Sequence, residues 1–337
     1  MCLSDYANVR THMAYLINQH SKKYTAKVIG YIPHCFNYQV KHDYDISEKR
    51  IVRGRVKWVV NTKIIPVIEK IVADADIIYW AEEHQRTQFV KLIPQLLPII
   101  GQKKRVIGHS GSFYRNHCES SNQSDVDFFQ YQVLNTDLYR LSPVDKKIPF
   151  IQCCLVSPVS KQEILMKYGD QKKLIICHLP YNRKKKGSNI IDGIVAEIMQ
   201  NNHQLTLPQI EYYYQSDSDH NKILQLKKKV HLYIDQYNLS IGGLGVSTLE
   251  SLASGSIVFC SLNQTQDIVW NQLGIEKPPI IDIGFPIDQV KKIILNILQL
   301  PTKELIKLSY KSVKWYNQYL RDENYVQLIE RTIFDRL

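Results

Sequence analysis

No apolar run in this sequence approaches the roughly 20 residues that a helix needs to cross a bilayer, which excludes an α-helical membrane span. The N-terminus lacks the basic, apolar and small-residue order of a secretory signal peptide. The seven cysteines (2, 35, 118, 153, 154, 177 and 260) contain no CxxC pair and are odd in number. That spacing speaks against a disulfide or zinc framework and predicts reduced, mostly buried thiols in a cytoplasmic protein. The 11 histidines show neither HExxH nor Cys/His spacing, so no metal site is expected. A GxxxxGK[ST] phosphate loop is absent. The run "GGLGVS" lacks the third glycine of a dinucleotide fingerprint and falls late in the chain, which argues against a dehydrogenase. No internal repeat or low-complexity linker stands out.

Acidic residues are the scarcer charge. Asp and Glu total 32 against 43 Lys and Arg, a formal net charge of +11. This favours anionic partners, whether nucleotides, phospholipid headgroups or nucleic acid, without choosing among them. The lysines cluster briefly at Lys184–Lys186 and Lys227–Lys229, and the second run reads as a solvated face. With 44% hydrophobic and 22% charged residues the balance is globular, and 337 residues exceed what one core usually serves.

Short apolar runs alternate with segments of helical periodicity. Expected strands are "AKVIGYI" (26–32), "ADIIYW" (75–80), "KRVIGHS" (104–110), "QVLN" (132–135), "KLIICHL" (173–179), "IEYYY" (210–214), "VHLYID" (230–235), "SIVFCS" (256–261) and "PIIDI" (279–283). Helices are expected over 6–20, 61–73, 86–98, 187–201, 219–229, 246–254 and 287–299. Buried strands alternating with helices predict an α/β protein with parallel sheets. The strands form two sets, separated near 145–172 by a segment with Pro143, Pro149 and Pro158. Two Rossmann-like domains facing across a cleft are therefore expected, with ligands beyond the carboxyl ends of the strands. The opening "MCLSDYANVRTHMAYLI" enters a helix almost at once. Either its first strand is very short or the start is internal to a longer reading frame.

Two places after strands carry chemistry. In "HLPYNRKKKGS", an apolar strand leads to His178, Arg183, Lys186, Gly187 and Ser188, with Ser188 a natural N-cap. Arg183 can grip phosphate oxygens as a fork and Lys186 can act as a point charge at a helix N-terminus. The plainer reading is an exposed basic turn. In "QYNLSIGGLGVSTLE", Gly242, Gly243 and Gly245 relieve backbone crowding, Ser247 and Thr248 start a helix, and Glu250 falls in its first turn. That carboxylate can hold the vicinal hydroxyls of a ribose, or it can simply complement the helix dipole. The Asp-x-Asp at 125–127, which a different fold uses to hold a metal and nucleotide, sits at a polar-to-apolar junction and reads as a chance match at a helix start.

These two segments resemble the H-x-P-x-x-R-x-x-K-G-[ST] and G-x-x-G-x-x-x-x-E-x-x-A-x-G-x-x-V motifs of GT-B glycosyltransferases, most closely glycosyltransferase family four. Weaker similarity covers "SDYANVRTHMAYLI", "ADIIYW", "GHSGSFYR" and "LNTDLYRLSP", while residues 309–333 look like the family's C-terminal helices. The resemblance implies an acceptor-side domain over 1–155, a donor domain over 156–315, and a C-terminal helix over 316–337 returning to the first domain. It implies that Lys186 and Arg183 neutralise the diphosphate of a UDP- or GDP-sugar and that Glu250 holds the ribose. Gly243, Leu244, Gly245, Val246, Ser247 and Thr248 would pass close to the phosphates and sugar. His109 would face the transferred sugar, with Gly111, Ser112, Arg115 and His178 lining the cleft. The implied reaction is a retaining hexosyl transfer, without metal or other cofactor, to a glycan or lipid-linked acceptor. A cytoplasmic or peripheral membrane enzyme of polysaccharide synthesis is implied, with no nucleic-acid partner. Two departures matter: Gly242 stands where many members carry a glutamate, and the family's arginine lies further upstream of the lysine than Arg183 does. The rivals are an epimerase or hydrolase on the same fold, which a carboxylate near His109 would favour, and a non-catalytic binder of nucleic acid or anionic membrane.

Overall fold

The computed structural model describes residues 9–30, 40–52, 55–81, 91, 93–109, 112–126, 128–169, 173–201, 207–214, 219–240, 242–262 and 267–337. The chain divides into two compact units, Met1–Phe150 with Val326–Leu337, and Ile151–Tyr325. From the sequence these divisions fall at 155/156 and 315/316. The C-terminal difference has a packing origin. The helix Thr302–Tyr319 buries Leu305 and Val313 in the core of the second unit, and the Tyr316 hydroxyl donates to the Cys154 carbonyl at 3.1 Å.

The first unit holds β1 (Ile29–Gly30), β2 (Tyr44–Asp45), β3 (Ser47–Val52), β4 (Arg55–Val60), β5 (Ile77–Ala81), β6 (Lys104–His109), β7 (Tyr131–Asn135) and β8 (Lys147–Phe150). Strands β5-β6-β7-β8 form a parallel sheet in chain order, with Tyr79 opposite Val106, Gly108 opposite Val133 and Val133 opposite Ile148. Ile68, Val72, Ile78, Trp80, Leu96 and Ile107 make its core. Strand β8 is not expected from the sequence because Pro149 interrupts it. It lies at the sheet edge, where a missing N–H is tolerated. Strands β3 and β4 pair in an antiparallel ladder, with Ser47 opposite Val60, where the sequence predicts no strand. The helix Ser112–Val126 is also new. Its Asn- and Ser-rich sequence is a weak helix former, and His117 breaks the helical geometry (φ −135°, ψ 27°). Asp125 therefore ends a helix rather than starting one, and Asp127 lies outside the described residues, as do residues 86–90 and 92 of the expected helix over 86–98. The C-terminal segment packs on the N-terminal helix region. Ser21 donates to Glu330, Lys23 pairs with Asp335 at 3.0 Å, and Tyr24 packs against Phe334.

The second unit holds β9 (Lys173–Cys177), β10 (Gln209–Tyr213), β11 (Leu232–Gln236), β12 (Ile257–Cys260) and β13 (Ile281–Asp282). All pair in parallel, in the order β10-β9-β11-β12-β13. Ile176, Leu232, Ile234, Ile257 and Phe259 of the sheet pack with Ile191, Val195 and Ile198 of one helix and Val290 and Ile294 of another. The order reverses between β9 and β11, since the chain leaves β9 for β10 on one side and then returns to build on the other. Such a switch point opens a crevice beyond the carboxyl ends of its two strands. Both motifs lie there, one after β9 and one after β11. The second unit also carries the helix Lys161–Gly169. Its Ser160 hydroxyl accepts from the Glu163 N–H while the Glu163 carboxylate accepts from the Ser160 N–H, a reciprocal cap. No helix of the described residues is long and apolar enough to cross a membrane.

Candidate functional site

The turn after β9 is anchored from below by His178. Its side chain is fully buried, with Nδ1 against the Ile234 carbonyl (2.8 Å) and Nε2 against the Ser188 hydroxyl (2.7 Å). Burial lowers its pKa and favours the neutral ring. Ser188 is the first residue of the helix Ser188–Gln200 and spends its hydroxyl on His178, so it does not cap the helix as expected. Gly187 takes the cap position, in the left-handed region (φ 67°, ψ 31°). A Cβ on Gly187 would also stand 1.9 Å from the Tyr237 carbonyl, so glycine is required twice over. The Tyr237 N–H donates to the Lys186 carbonyl (3.0 Å) and the Asn238 amide to the Lys185 carbonyl (2.7 Å). These bonds fasten the first motif loop to the start of the second.

Lys186 and Arg183 part company. The Lys186 ammonium meets both carboxylate oxygens of Asp235 at 3.0 Å and keeps its side chain 26% exposed. Arg183 points to the outer surface, where it pairs with Asp192 and donates to the Tyr214 carbonyl (3.0 Å). Asp235 lies at the carboxyl end of β11. The β11–β12 register runs from Ile234 opposite Phe259 to Gln236 opposite Cys260, so Asp235 is the extra residue of a β-bulge. Its Oδ2 also accepts from the Thr248 hydroxyl (2.9 Å). Burial works to raise the Asp235 carboxyl, but the Lys186 ammonium and the Thr248 hydroxyl outweigh it and hold the pKa below its usual value.

The helix Val246–Ala253 starts beside this pair. A Cβ built on its cap residue, Gly245, would lie 3.9 Å from Lys186 Nζ. Leu249 N–H to the Gly245 carbonyl is the first full helical bond, so the amides of Val246, Ser247 and Thr248 have no acceptor within the helix. Gly243 faces inward, its carbonyl accepting from the Gln236 side chain (3.0 Å), and Leu244 is buried.

Glu250 is placed otherwise than expected. It lies in the second turn of this helix, 4% exposed, with Oε2 on Lys227 Nζ (2.6 Å) and Oε1 on His220 Nε2 (2.6 Å). Lys227 is not on a solvated face. It is fully buried, donating also to the Ser247 hydroxyl (2.7 Å) and carbonyl (3.0 Å), with its ammonium over the Tyr233 ring. Burial opposes ionisation of Glu250, but Lys227 and His220 overcome it and hold the carboxyl at about 2. The helix His220–Lys229 thus supplies both partners of Glu250: Lys227, expected on a solvated face, and His220, which belongs to no motif.

In the first unit, His109 is buried at the end of β6. Its Nε2 bonds Asp125 Oδ2 (2.7 Å) and its ring stacks on Tyr114 (4.3 Å). Asp125 accepts as well from Gln132 (2.8 Å), which shares Asn122 with Tyr114. Arg115 pairs with Asp137. Gly111 lies outside the described residues, as does the side chain of Ser112. Among the described residues no group of three or more His, Cys, Asp or Glu could hold a metal ion.

No protein-family model matches the chain, and no curated protein matches it in sequence. Solved structures do match. Alr3699/HepE of Anabaena in complex with UDP and glucose is 12% identical, with a TM-score of 0.52 over 81% of this chain and 82% of that one. Its complex with UDP alone gives 13% and 0.51 over the same shares. TarM is 12% identical with a TM-score of 0.52, over 88% of this chain and 64% of TarM. The fold is GT-B. Within this GT-B chain, the second unit brings Lys186, Gly245 and Thr248 together through Asp235. It seals Glu250 and His178 inside, commits the Ser247 hydroxyl to Lys227 and turns Arg183 away.

Proposed function

We propose that this chain is a glycosyltransferase that moves a hexose, with retention, from a UDP- or GDP-sugar to a glycan or lipid-linked acceptor. The observation that carries this reading is the meeting of two motif loops at the switch point of the second sheet. There the ammonium of Lys186 stands beside the amide-bearing start of the helix Val246–Ala253. Breaking a sugar–phosphate bond leaves the electron pair, and negative charge, on the departing diphosphate while the ring gains positive charge. A fixed ammonium and helix amides aimed at that diphosphate stabilise it as it leaves. The fold shared with a protein solved with UDP and glucose supports the donor class. In this proposal Lys186 takes the phosphates, and Glu250, sealed against Lys227 and His220, braces the helix start instead of meeting the ribose. Arg183, committed to Asp192, drops out of the phosphate site. The donor is a substrate, and no metal or other cofactor enters the proposal. A net charge of +11 supports attachment to an anionic cytoplasmic membrane face during work on a lipid-linked acceptor.

The test is calorimetric titration of UDP, GDP and their sugars, followed by nucleotide release with candidate acceptors. Binding of neither nucleotide would end the reading. A second reading, a nucleotide-sugar epimerase or hydrolase, draws on Asp125, the carboxylate 2.7 Å from His109. It predicts an epimerised donor or free nucleotide without any acceptor, whereas transfer predicts release that depends on one.

A further inference from the structure

Among the described residues, Asp235 is the buried carboxylate that touches both motif loops. It is 2% exposed, yet both of its oxygens receive the ammonium of Lys186, a half-open side chain from the loop after β9. Its Oδ2 also receives the Thr248 hydroxyl, from the first turn of the helix after β11. The backbone is built around this contact. Asp235 occupies a bulge at the end of β11, and a bulge redirects a side chain that a regular ladder would send elsewhere. Lysine has a long flexible stem and, left alone, would spread its charge over many rotamers. An ammonium has three N–H donors. Two are directed at Asp235, which leaves the third for a ligand on the exposed side.

We infer that Asp235 is the positioning residue of the donor site: it holds the Lys186 ammonium at the start of the helix Val246–Ala253, ready for a nucleoside diphosphate. This rests on the donor reading proposed above. Asp235 itself meets no substrate, because a carboxylate would repel the diphosphate and its oxygens are already taken by Lys186 and Thr248.

The test is a double-mutant cycle on the binding of UDP and GDP, with thermal unfolding run in parallel. Lys186→Ala is expected to weaken the bound nucleotide about tenfold. Asp235→Ala is expected to weaken it by a similar factor, and the double variant should be no worse than Lys186→Ala alone, because Asp235 acts only through the lysine. Should Asp235→Ala prove unstable, Asp235→Asn keeps the size and the Thr248 contact while removing the charge. It is expected to bind several-fold more weakly than the wild type. Asp235 variants that bind as tightly as wild type, or more tightly, would overturn the assignment, because the carboxylate would then be a mere counter-charge. A loss that multiplies fully with that of Lys186→Ala would overturn it too. If Lys186→Ala itself left binding unchanged, the donor site would fail together with the inference, whereas failure of the Asp235 variants alone leaves the donor site standing.

Discussion

Two lysine–carboxylate pairs touch the same short helix, Val246–Ala253, and they are built for different tasks. Lys227 and Glu250 are sealed, with side-chain exposures of 0% and 5%, and Lys227 has filled its donors with Glu250 and Ser247. In the other pair Asp235 is as deeply buried, at 2%, but Lys186 is 26% exposed and both its protein acceptors belong to one carboxylate. A sealed pair is a fixture of the fold, since breaking it strands a charge in the interior. A half-open pair is a charge held at the surface for something else. The same two residue types therefore play different parts, decided by which acceptors are already filled.

The comparison breaks most readily at the sealed pair. Lys227→Met should cost about 3–5 kcal/mol of stability by stranding Glu250. A urea titration measures this, and a loss below about 1 kcal/mol would remove the distinction between the pairs. Glu250 offers a pH test of the same point. Its carboxyl stands at about 2 in the folded chain against an ordinary 4.5, so the unfolded chain binds the proton first as pH falls. Its contribution, on the order of 3 kcal/mol, is complete above about pH 4.5 and lost as pH drops towards 2. Urea midpoints at pH 3 and pH 6 should differ less in Glu250→Gln than in the wild type. Next comes Gly187→Ala, which forces a side chain into the left-handed region and against the Tyr237 carbonyl. It should cost about 1–3 kcal/mol by denaturation and weaken nucleotide binding by displacing Lys186. The smallest effect belongs to Arg183→Ala. Its pair with Asp192 is exposed, so stability should move by less than about 0.5 kcal/mol and nucleotide affinity should stay near wild type.

The parallel strands of the second unit were legible because each is an apolar run followed by a helix. The two motifs that follow β9 and β11 were legible because glycine and charge interrupt those runs. Several features were not. Pro149 hid an edge strand, and a polar run hid the helix Ser112–Val126. The helix Lys161–Gly169 was missed although "SKQE", residues 160–163, spells its capping box. Within the site, Lys186 was found and Asp235 went unassigned, because a bulge leaves no periodic mark in sequence. Lys227 was misread because a run of three lysines does not show that one faces inward. Glu250 was located but not its partners, since His220 and Lys227 reach it from a helix that precedes it by some 20–30 residues.

Hydrogen exchange of the wild-type chain with and without saturating UDP or GDP tests the central claim most directly, because it locates the nucleotide. The account predicts slowed exchange at the amides of residues 185–188 and 245–248 together, with little change across the sealed helix His220–Lys229. Protection confined to other parts of the chain, or none with either nucleotide, would contradict it.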